Sequence, residues 1–177
     1  MEIFNQVTDD FNKKKFSDEG EVDVSYELYG VGRFRANIFR QRGYIGMVFR
    51  HIFAKIPTME ELNLPADQLK RLALLPRGLI LVTGTAGSGK STTIASMLNF
   101  INANEEKHIV TVEDPVEFTF TDDKCVIDQR EIGQDTYNFA KALKHAVRQS
   151  ADVIFVGDMR DLEAMEAAGN AAEEGHL

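Results

Sequence analysis

The segment Gly84-Thr85-Ala86-Gly87-Ser88-Gly89-Lys90-Ser91 matches G-x-x-x-x-G-K-[ST], the pattern of a phosphate-binding loop. Each fixed position has a physical task. Gly84, Gly87 and Gly89 let the backbone turn tightly and approach a ligand closely. Successive N–H groups then converge into an anion nest. Lys90 brings a point charge to the β and γ phosphates, and the Ser91 hydroxyl suits the Mg²⁺ that accompanies a nucleotide. The flanks agree. Leu79-Ile80-Leu81-Val82-Thr83 is a continuous apolar run, as expected of a buried parallel strand. Ser91 to Asn102 reads as a helix with Ile94, Met97, Leu98 and Ile101 on one face. A strand, a glycine-rich turn and a helix N-terminus together form an anion site. The competing reading is a glycine-rich turn that binds nothing. The expected phosphate contacts are Gly84, Thr85, Ala86, Gly87, Ser88, Gly89, Lys90, Ser91 and Thr92.

Downstream of this loop the pattern is α/β. His108–Val112 and Asp152–Val156 read as buried strands, and a helix from Asp135 or Thr136 to about Gln149 presents Phe139, Leu143, Ala146 and Val147. Asp161–Ala172 reads as a further helix. Val116–Phe120 and Cys125–Gln129 read as a short antiparallel pair around Thr121-Asp122-Asp123-Lys124. Strands alternating with helices predict a parallel sheet covered on both faces. Glu113 and Asp114 follow the His108 strand, and Asp158 follows Val153-Ile154-Phe155-Val156-Gly157. Open α/β sheets bind ligands at the carboxyl ends of their strands, so these acids are expected in the crevice of the phosphate loop. Four apolar residues closed by an acid form a Walker B strand, and Asp158 there would hold Mg²⁺, as would Ser91. Acids at strand ends also occur as plain solvated loop residues; two of them beside a phosphate loop favour the functional reading.

Upstream, residues 1–57 alternate as β structure. Val22, Val24, Tyr26 and Leu28 share one side of a strand, and Phe34, Ala36 and Ile38 share one side of the next. Tyr29-Gly30-Val31-Gly32 suits their connection. Met47–Phe53 is a third strand. Phe4–Phe16 reads as a helix with too few apolar residues for a core. Arg33, Arg35, Arg40, Arg42 and Arg50 cluster here; a guanidinium suits triphosphate contact, while a solvated or acid-paired strand face is the plainer reading for any one of them. Residues 58–76 form a helical connector. Thr58-Met59-Glu60-Glu61 fits a capping box, and Pro65 suits the start of a second short helix.

The 177 residues carry 20 basic and 28 acidic side chains, a formal charge of −8 that argues against a general nucleic-acid surface. Cys125 is the single cysteine, which excludes an internal disulfide. No apolar run approaches the roughly 20 residues that span a bilayer, so no membrane insertion is expected and a cytoplasmic location is the default.

Several segments resemble the type IV pilus retraction (twitching motility) ATPases within the secretion ATPases: Gly30-Val31-Gly32-Arg33-Phe34-Arg35-Ala36-Asn37, Ile56-Pro57-Thr58-Met59-Glu60-Glu61-Leu62, Glu113-Asp114-Pro115-Val116-Glu117-Phe118, Gln129-Arg130-Glu131-Ile132-Gly133, Gly157-Asp158-Met159-Arg160-Asp161 and Ala171-Ala172-Glu173-Glu174-Gly175-His176-Leu177. The resemblance implies part of a PAS-like α+β domain (1–57), the connector (58–76) and a RecA-like P-loop ATPase domain with an incomplete, mainly parallel sheet (77–177). It implies an ATP- and Mg²⁺-dependent motor subunit, a homo-hexamer that acts on the inner-membrane platform of a pilus machine. Glu113 corresponds to the general base and Asp158 to the Walker B acid, with Lys90 the third catalytic residue. Arg33, Arg35, Arg40 and Arg50 lie where family arginines approach nucleotide. Asp158 departs from the family's usual Glu, which draws the carboxylate back by about 1.5 Å, one C–C bond. Against the family pattern the sequence is expected to be truncated at both ends. A nucleotide-binding accessory subunit with little turnover, or an assembly or type II secretion ATPase, are the alternatives.

Overall fold

The computed structural model describes residues 2–52 and 55–177. They divide into two compact units, one through residue 54 and one over Lys55–Leu177.

The first unit is an antiparallel sheet of β1 (Glu21–Leu28), β2 (Gly32–Gln41) and β3 (Tyr44–Ile52) in that order. The expected end of the third strand at Phe53 lies outside the described residues. Val22 pairs opposite Ile38 and Val24 opposite Ala36, so the alternation places all four on one buried face. The single expected helix is instead two, α1 (Glu2–Val7) and α2 (Asp10–Glu19), because the Asp9 side chain caps α2 by accepting the Asn12 N–H at 2.7 Å. These helices do not make a core alone but complete that of the sheet. Phe4, Val7 and Phe16 are buried against Val22, Val24, Ala36 and Ile38, and the Phe4 and Phe16 rings lie 5.0 Å apart. A few large side chains suffice because the sheet supplies the rest of the apolar surface. Arg42 occupies the two-residue β2–β3 turn, at φ 50° beside Gly43 at 84°.

The second unit begins with the capping box. Thr58 N–H donates to Glu61 Oε2 at 2.8 Å and Glu61 N–H to Thr58 Oγ1 at 3.1 Å. It closes only one turn before Asn63 takes φ 54°. After Pro65 comes α3 (Ala66–Ala73). The sheet has the order β5-β4-β6, with β4 (His108–Glu113) parallel to both β5 (Val126–Glu131) and β6 (Val153–Val156). Alternation splits β4 between two layers. Ile109 packs with Met97, Leu98 and Ile101 of α4 (Lys90–Asn104). Val110 and Val112 pack with Ala142 and Ala146 of α5 (Phe139–Ala146). Asn138, not Asp135 or Thr136, caps α5 by accepting the Lys141 N–H at 2.8 Å, and a 3₁₀ turn, Val147–Gln149, follows. Asp161 caps α6 (Leu162–Glu173) by accepting the Ala164 N–H.

Two expected strands are absent. Val116–Phe120 makes no antiparallel ladder; its backbone groups are taken up by side chains of β4 and β5. Leu79–Thr83 joins no sheet, and Leu79 and Leu81 are 55% and 60% exposed. A strand requires a neighbour within hydrogen-bonding distance, about 4.8 Å away. Here a cavity of about 390 Å³ lies between this run and β6. Leu177 enters the gap as a strand would. It donates its N–H to the Asp152 carbonyl at 3.1 Å and accepts the Ile154 N–H at 2.8 Å.

Candidate functional site

The loop Gly84–Gly89 leads directly into α4. Gly87 and Gly89 have φ of 76° and 92°, left-handed values that a side chain would disfavour. Gly89 is the N-cap residue and supplies no side chain to the helix, so the first-turn N–H groups of α4 have no side-chain cap. Over 15 residues the helix dipole adds partial positive charge at this end. Lys90 Nζ reaches back across the loop and donates to the carbonyls of Gly84 and Thr85, both at 3.0 Å. An ammonium held by two neutral carbonyls, beside uncapped N–H groups, fits the polyanionic tail of a nucleotide.

Lys90, Ser91 and Asp158 line the same cavity, with Ile80, Val82 and Phe155 among its apolar walls. The Asp158 carboxylate is engaged: Arg160 Nε donates to its Oδ2 at 2.6 Å. Oxygen donors from Ser91 and Asp158 suit a hard divalent cation such as Mg²⁺. Among the described residues, no cluster of three or more His, Cys, Asp or Glu side chains forms a cation cage.

Glu113 does not line that cavity. It ends β4 beside Gly157, where a Cβ would stand 3.2 Å from Glu113 Cα and the Val112 carbonyl, so a side chain there would crowd the β4 backbone. Glu113 is 5% exposed. Oε1 accepts the Thr111 hydroxyl at 2.7 Å and the Gln129 amide at 3.3 Å, and Oε2 accepts the Glu117 N–H at 3.4 Å. Burial pushes the Glu113 pKa up, against the opposing pull of the Thr111, Glu117 and Gln129 donors. Sequence reasoning missed Thr111, Gln129 and Arg160. The alternation of β4 places Thr111 on Glu113's face, but Gln129 arrives only through the β4–β5 register.

The arginines of the first unit separate. Arg33 and Arg35 share one face of β2, with Arg50 opposite Arg35. Arg35 lies 3.6 Å from Asp23. Arg40 has the parity of the core face and stacks over the Phe16 ring at 5.2 Å.

The profile of the type II/IV secretion system protein family matches residues 50–177. The Pseudomonas aeruginosa type IV pilus retraction ATPase PilT is 48% identical over 175 residues, 99% of this chain and 51% of the relative. A Neisseria gonorrhoeae twitching motility protein is 46% identical over 99% of this chain and 48% of the relative. The crystal structure of the pilus retraction motor PilT with bound ADP superposes with a TM-score of 0.95 at 49% identity, covering 99% of this chain and 51% of that one. The Legionella pneumophila ATPase DotB gives 0.86 at 28% identity, over 98% and 50%. The chain thus spans about half the length of the curated relatives it matches. With a matched profile over most of its length and an α/β fold with a parallel sheet like those of PilT and DotB, the chain belongs to the type II/IV secretion system protein family.

Proposed function

We propose that the chain carries the nucleotide-binding part of an ATP-hydrolysing motor subunit for type IV pilus retraction. The observation that supports this best is the uncapped start of α4 behind a glycine loop, with Lys90, Ser91 and Asp158 lining one cavity. In this reading residues 1–57 are part of a PAS-like domain, 58–76 a connector, and 77–177 the RecA-like ATPase domain. The motor is cytoplasmic, at the periphery of the inner membrane, and works as a homo-hexamer against the pilus platform. No described helix is long and apolar enough to cross a membrane.

The chemistry follows from the residues. Backbone N–H groups from Gly84 through Thr92, with Thr85, Ala86 and Ser88 shaping the loop, receive the β and γ phosphates. Lys90 exchanges two carbonyls for phosphate oxygens, a charge-assisted and stronger contact. Ser91 and Asp158 would hold Mg²⁺, which neutralises charge on the phosphates. Glu113 takes a proton from water as the water oxygen bonds to the γ phosphorus. The bond from that phosphorus to the bridging oxygen breaks, releasing ADP and inorganic phosphate. Titration with ATP in the presence of Mg²⁺ tests the site: saturable binding that Lys90→Ala weakens at least tenfold is expected, and no binding by the parent would overturn the reading.

The Asp158–Arg160 ion pair favours a second reading, an accessory subunit with weak turnover. Asp158→Glu, which lengthens the acid by one methylene, should then raise turnover severalfold; an unchanged rate counts against that explanation. An assembly or type II secretion ATPase is less well supported, because such relatives match only 58–68% of this chain.

A further inference from the structure

Glu113 is held by a neighbour to which the sequence reading assigns no role. In the parallel register Thr111 lies opposite Gln129, and Glu113 opposite Glu131. Residues two apart on a strand share a face, so Thr111, Glu113 and Gln129 converge there. Thr111 and Gln129 both donate to Oε1 of Glu113. The Gln129 amide is itself fixed from the loop that crosses this face. Its Nε2 also donates to the Phe118 carbonyl at 2.8 Å, and its Oε1 accepts the Phe120 N–H at 2.9 Å. Reversing the amide would set oxygen against two acceptors and NH₂ against a donor, so one orientation alone satisfies all three partners. Among the described residues, Oε2 of Glu113 has only the long contact from the Glu117 N–H, at 3.4 Å.

We propose that Gln129 is a positioning residue for hydrolysis: its amide ties Glu113 Oε1 to the Phe118–Phe120 loop and leaves Oε2 as the oxygen that receives the water proton. The inference rests on the reading of Glu113 as the base. A shift of this loop moves the amide, and with it the carboxylate, so loop position and base geometry change together.

Two variants test it in the full 177-residue chain. Gln129→Met keeps the length and removes the amide; Gln129→Asn keeps the amide and falls one methylene short. The ¹³C resonance of the Glu113 carboxyl and the hydrogen exchange of the Phe120 amide are measured, with the remaining amide spectrum as the check on folding. Both signals should move, and Phe120 exchange should accelerate about tenfold or more. An unmoved Glu113 resonance in either folded variant overturns the proposal. In ATP turnover, kcat should fall about 10- to 100-fold with nucleotide KM unchanged, the scale of a base misplaced by about 1 Å. Adding Gln129→Met to Glu113→Gln should cost nothing more, because the two act as one unit. A further loss in the double variant would show that Gln129 acts independently of Glu113, against the proposal. A parent rate in Glu113→Gln alone would remove the base and Gln129's catalytic role with it; the persisting resonance shifts would identify that failure as Glu113's.

Discussion

At the scale of single residues, two side chains carry the chemistry under opposite conditions. Lys90 is half-buried, lines the cavity and rests on two neutral carbonyls, so its charge is available to an anionic ligand there. Lys90→Ala should weaken nucleotide binding by at least tenfold, read by titration calorimetry, and leave the fold intact. Glu113 is buried and its pKa is raised, chiefly by desolvation. A raised carboxyl pKa means that the folded chain binds more protons than the unfolded chain between the ordinary carboxylate value and the folded one. Stability from this group therefore falls as pH rises through that window, and the ionised group remains a cost at neutral pH. Glu113→Gln removes the charge and keeps one oxygen for the Thr111 and Gln129 donors, while its NH₂ gives up the long contact from the Glu117 N–H. It should retain nucleotide binding, lose hydrolysis, and raise the thermal midpoint at neutral pH by a few degrees, roughly 1 kcal/mol. The acid limb of the hydrolysis rate should lie above the usual carboxylate range, since the base must be ionised.

At the scale of elements, local chemistry sets where helices start. Asp9, Asn138 and Asp161 each accept an N–H three residues on. Asn138→Ala should cost about 1 kcal/mol, measured by denaturant unfolding. Leu79–Thr83 shows the limit of local rules. Its composition is that of a buried strand, yet no ladder holds its amides. These amides should exchange with solvent orders of magnitude faster than those of Ile109–Val112, which have pairing strands on both sides. Protection of Leu79–Thr83 equal to that of β4 would contradict the structure.

At the scale of the whole molecule, the two units have separate cores, and every residue of the proposed nucleotide site lies in Lys55–Leu177. ADP with Mg²⁺ at about 100 times its Kd should stabilise that unit by about 2.7 kcal/mol while amides of β1–β3 keep their exchange rates. Equal protection of both units would show that ligand energy spreads through the chain.

The sequence by itself determined what depends on neighbours a few positions away. It placed the phosphate loop and its helix, the alternating faces of β1 and β2, the capping box at Thr58, and the acids at two strand ends. These arise from backbone sterics, side-chain period and capping, which act within one turn or one pleat. Tertiary structure alone decided that β5 runs parallel beside β4, that the loop at Val116–Phe120 is pinned by side chains, and that Leu79–Thr83 is left without a partner. It also decided that Gln129 meets Glu113. Gln129 and Glu113 are 16 residues apart, and a ladder forms only where a second backbone arrives at hydrogen-bonding distance, which no local pattern specifies.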